Sequence, residues 1–100
     1  MSTQVISDAE TALEHLERLT DELRSRGWAV EVAAHAGRRP SALVANPRMR
    51  ALQENVIAAR ERSDGGWSYF YGWGERIASC ADPAAAAAAL GRVLAARRDN

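Results

Sequence analysis

No lysine occurs in this chain: all thirteen basic side chains are arginine. Guanidinium groups hold their charge and bind carboxylates and phosphates bidentately. In so alanine-rich a chain, however, GC-rich coding is the simpler cause, and it points to a high-GC bacterial source. Cysteine is nearly absent as well. Cys80 stands alone, which excludes an intramolecular disulfide and suits a reducing cytosol. The two histidines and Cys80, at positions 15, 35 and 80, lack the spacing of a zinc site, so no metal, cofactor or catalytic residue is expected. Net charge is zero, and no whole-molecule field draws the protein to nucleic acid or to an anionic membrane. No apolar run approaches the ~20 residues of a membrane span, and MSTQVISDAE has neither a basic region nor an apolar stretch behind it. A cytoplasmic protein is the expectation.

With 47% apolar residues, the 100-residue chain can bury one core. One domain over residues 1–100 is expected, with 1–6 and 98–100 as loose termini. Ser7 and Glu10 have the spacing of a capping box, which predicts a helix from Asp8 to Arg26. Along it Ala9, Ala12, Leu13, Leu16, Leu19 or Thr20, and Leu23 recur every three or four residues as an apolar stripe. Gly27 ends the helix.

The hydrophobic period then changes to two. Trp28, Val30, Val32 and Ala34 alternate with Ala29, Glu31, Ala33 and His35, a strand pattern broken by AGRRP. Ser41 to Ala45 reads as a second strand stopped at Asn46-Pro47, PRMRAL as a loop, and ENVIAAR as a third strand. The cluster Ser63-Asp64-Gly65-Gly66 signals a hairpin into WSYFYGWGE, which reads as one strand extending to Ile77. Asp82-Pro83 opens a second helix through six alanines, Leu90, Val93 and Leu94. In it Ala87, Gly91 and Ala95 form a ridge that permits close backbone approach. The expected fold is α+β, a four-stranded antiparallel β-meander with the N- and C-terminal helices packed on one face (α-β-β-β-β-α).

VANP at 44–47, LQENV at 52–56, WSYFYGWGERI at 67–77 and DPAAAAAALGRVL at 82–94 together resemble the shared signature of a group of small actinobacterial proteins of unknown function. The resemblance covers about the last two thirds of the chain. It implies an actinobacterial cytoplasmic protein and carries no activity or site residue with it.

The pair Gly72 and Gly74 does not make a dinucleotide fingerprint, because the third glycine and the strand-turn-helix context are missing. These glycines are expected to permit close approach or a bend in an edge strand. In a meander the turns after the first and third strands share one end of the sheet, so Arg38 and Arg39 should lie near Arg60 and Arg62, with Arg48 and Arg50 at the other end. Such a cluster suits an anion or an acidic partner surface, although Glu61 and Asp64 dilute it. Residues 1–26 hold six acidic groups against three arginines, the complementary sign.

The aromatic ladder Trp67, Tyr69, Tyr71 and Trp73 has two possible placements. Alanine-lined helices need large side chains opposite them, which favours the ladder as core. The alternative places Phe70, Gly72 and Gly74 under the small-residue ridge and leaves the ladder outward as an interface. On either assignment the second face of the sheet is largely apolar, which predicts a homodimer or a protein partner covering it by face or edge. The leading function is therefore a non-catalytic interaction module. The competing one is a small-molecule sensor in which Trp28 joins Trp67, Tyr69, Tyr71 and Trp73 around a pocket between sheet and helices.

Overall fold

The computed structural model describes residues 2–35, 37–61 and 65–95, with side chains from residue 8 onward. Helix α1 (Ser2–Ser25) runs longer than its capping box suggests. No glycine or proline interrupts residues 2–26, so the helix passes through Ser7, and the start expected there is corrected. Leu16, Leu19 and Leu23 are fully buried along one stripe, each contributing roughly 1.5–3 kcal/mol of gross burial. Thr20 joins them, its hydroxyl donating back to the Leu16 carbonyl at 2.8 Å. The helix closes in a Schellman motif: the Gly27 amide donates to Arg24 and the Trp28 amide to Leu23, with Gly27 at φ +92°.

The sheet is open, antiparallel and five-stranded, in the order β1 (Ala29–Ala33), β2 (Ser41–Asn46), β3 (Met49–Arg60), β4 (Trp67–Tyr71) and β5 (Arg76–Ser79). The expectation of four strands is overturned at Gly72-Trp73-Gly74. These residues form a three-residue hairpin loop in which the Gly74 amide donates to Tyr71 and the Tyr71 amide to Glu75. Gly74 adopts φ +108°, a conformation that strongly favours glycine. The aromatic segment therefore turns back on itself, and Arg76–Ser79 becomes a separate edge strand.

A second correction concerns PRMRAL, which is mostly strand. Pro47 and Arg48 form a tight turn, the Arg48 amide donates to the Asn46 side-chain oxygen at 2.9 Å, and Met49 already pairs with Asn46. Proline has no amide to give a ladder, but within a turn none is required.

Helix α2 (Pro83–Leu94) starts where Asp82 accepts from the Ala85 amide at 3.1 Å, with proline in the first turn. Its buried residues Ala86, Ala87, Leu90 and Leu94 share one core with the α1 stripe and with Ala42, Val44, Val56, Ala58, Tyr69 and Tyr71 of the sheet. Alternation along the strands sends Leu43, Ile57 and Phe70 to the other face. There the register aligns Glu31, Leu43 and Asn55 in one row and Ile57, Phe70 and Arg76 in another.

Candidate functional site

At one end of the meander the β1–β2 connection and the ends of β3 and β4 meet the N-terminal half of α1, and between them lies a cleft of about 530 Å³. Asp8, Ala9 and Ala12 line it from α1, Gly37 to Pro40 from the β1–β2 connection, and Ala58, Ala59, Arg60 and Trp67 from the sheet. The methyl groups of Ala9, Ala12 and Ala58 make up much of the floor, so the space follows from the residue types. Arg38, Arg39 and Arg60 converge here, while Arg62 lies outside the described residues.

The three arginines differ in electrostatic state. Arg60 pairs with Asp8 at 3.1 Å, and its guanidinium carbon stands 5.4 Å from the Trp67 ring centroid. That pair neutralises Arg60 and leaves it as a wall. Arg38 and Arg39 are exposed and make no ion pair with any described residue. Among the described residues they provide the cleft's uncompensated positive charge.

The five aromatic candidates do not surround a single pocket. Tyr69 is fully buried and Tyr71 nearly so, both within the core. Trp28 packs against that core at Gly91, where an added β-carbon would stand 3.5 Å from the indole. Trp67 reaches the cleft. Trp73 sits in the hairpin loop, 62% exposed, stacked on Tyr71 with centroids 4.5 Å apart and donating to Glu75 at 3.2 Å. The ladder thus divides between core, cleft and surface.

Behind the cleft lies a small polar cluster. The Tyr69 hydroxyl donates to the His15 carbonyl at 2.6 Å, and the His15 ring tilts against Trp67 at 5.4 Å. Desolvation, reinforced by Arg18, lowers the His15 pKa despite Glu14, and its buried Nδ1 has no hydrogen-bond partner among the described residues. Burial raises the Tyr69 phenol and pushes the Cys80 thiol up to about 12. Burial also raises Tyr71, helped by Glu54 and Glu75 and opposed by Arg92. A thiol in that state is a poor nucleophile. Among the described residues no three histidine, cysteine, aspartate or glutamate side chains gather as a metal site, and no helix is long and apolar enough to cross a membrane.

Sequence reasoning missed Asp8 and the alanine floor as parts of this site. The signal was available: the short Gly27 connection turns α1 antiparallel to β1, which returns its N-terminal half to the Arg38 end. Also missed was Glu61, which accepts from Arg76 at 2.9 Å and from the buried Ser68 hydroxyl on the open face. No protein-family profile, curated protein or solved structure matches the chain.

Proposed function

We propose that the protein is a non-catalytic interaction module that self-associates through the open face of its sheet. The observation carrying this reading is the position of Leu43, Ile57 and Phe70 on the face opposite both helices. The surrounding charges suit a second copy. A two-fold axis parallel to the strands lays β1 of one copy over β5 of the other and brings Glu31 toward the second copy's Arg76, whose Nε is held by Glu61, at both ends of an isologous contact. A cytoplasmic location fits the single reduced cysteine. The resemblance to small actinobacterial proteins of unknown function is consistent with a module lacking chemistry of its own.

Sedimentation velocity across a wide concentration range tests the proposal. The parent chain should show mass rising with concentration, and Phe70→Ser or Leu43→Ser should remain monomeric with an unchanged circular dichroism spectrum. Tyr69→Ser is unsuitable, since Tyr69 is core. A parent chain that stays monomeric at the highest concentrations rules self-association out.

A further inference from the structure

We infer that the cleft between α1 and the sheet end binds a small organic acid, one anionic group carried on a flat apolar body. The anion is assigned to Arg38 and Arg39, the exposed cationic pair that no described acidic residue neutralises. The body is assigned to the floor of Ala9, Ala12 and Ala58 and to the Trp67–Arg60 wall. Three features favour this chemistry. The cleft, about 530 Å³, falls in the range of roughly 300–1,000 Å³ usual for small-molecule sites. An alanine-lined floor beside the Trp67 ring suits an apolar body, whereas a fully hydrated ion would make no use of that apolar wall. Arg60, engaged by Asp8, does not compete for the anion, which leaves Arg38 and Arg39, unpaired among the described residues, to hold one carboxylate between them.

The inference is independent of self-association, because the cleft opens on the helix side while Leu43, Ile57 and Phe70 lie on the opposite face. Binding of 2-naphthoate, followed by the indole and amide signals in heteronuclear NMR, tests it. Saturable binding should perturb the Trp67 indole. The neutral amide of the same body should bind about tenfold or more weakly, as should acetate, which has the charge without the body. Arg38→Ser with Arg39→Ser, two exposed loop positions, should weaken 2-naphthoate by about tenfold or more. Ala9→Phe, which fills the cleft from α1, should abolish binding while sedimentation behaviour and helix content stay as in the parent. Equal affinity for the acid and its amide, undiminished binding to the double arginine variant, or the absence of saturable binding would each overturn the assignment.

Discussion

The hydroxyl of Tyr69 donates to the carbonyl of His15 at 2.6 Å, linking the middle of the sheet to α1 across 54 positions of sequence. Both groups lie in the layer between helix and sheet, where an unmade hydrogen bond is costly. Tyr69→Phe keeps the ring and loses the donor, and should lower stability by about 1 kcal/mol in urea unfolding, with the slope unchanged. Tyr69→Ser also removes the ring and should cost about 3–5 kcal/mol. If the two variants proved equally mild, the ring would not be a core element.

Asn46 ties the β2–β3 turn to the end of α2. Its side-chain oxygen accepts from the Arg48 amide and its nitrogen donates to the Leu94 carbonyl at 3.0 Å, with only 8% of the residue exposed. Asn46→Ala forfeits both contacts and should cost about 2 kcal/mol. Asn46→Asp retains the acceptor but sets a negative charge against the carbonyl end of a helix, and should be at least as damaging at neutral pH. Thermal unfolding of the two variants beside the parent decides the point; a harmless aspartate would mean that the Leu94 contact contributes nothing.

Two glycines should respond oppositely to alanine. Gly91 is helical, and a β-carbon there would meet the Trp28 indole at 3.5 Å, an ordinary contact. Gly91→Ala should therefore stabilise by about 0.5–1 kcal/mol through helix propensity. Gly27, at φ +92° in the α1 cap, should lose about 1 kcal/mol on the same change. Chemical denaturation of both variants checks the pair, and a destabilising Gly91→Ala would show that the helix packs on Trp28 more tightly than a 3.5 Å contact implies.

What the sequence revealed and what it concealed divide along physical lines. The α1 stripe, the Gly27 stop, the Asp82-Pro83 start and the meeting of Arg38, Arg39 and Arg60 were all readable, because each rests on local periodicity, capping chemistry or the handedness-free geometry of a meander. The fifth strand was concealed because strand alternation continues through Tyr71 and Trp73 as though no turn intervened. Gly-x-Gly supports a bend and a hairpin equally well, and only the closing of the Tyr71–Glu75 amide contact separates them. For the same reason Trp73 reads as a member of the ladder. Asn46 reads locally as a breaker beside Pro47, whereas its role depends on Leu94, a residue 48 positions away that no local pattern indicates.

Cys80 offers a check on the core and on alkaline stability together. Burial raises its pKa from 9.0 to about 12. A group whose pKa is higher folded than unfolded contributes fully below the unfolded value and loses that contribution as pH rises toward the folded one. Stability should therefore begin to fall above about pH 9, with Tyr69 and Tyr71, also raised, adding their share from about pH 10. His15 works in the other direction: its lowered pKa means stability is lost as pH drops below about 6.5. Cys80→Ala should delay the alkaline onset toward pH 10, a shift measured by urea midpoints taken at half-unit pH steps. In the native parent at pH 8, Cys80 is 2% exposed and burial keeps it protonated, so iodoacetamide should label it only after denaturant is added. Rapid labelling of the folded protein would show that Cys80 opens to solvent and that the layer between β5 and α2 is not sealed.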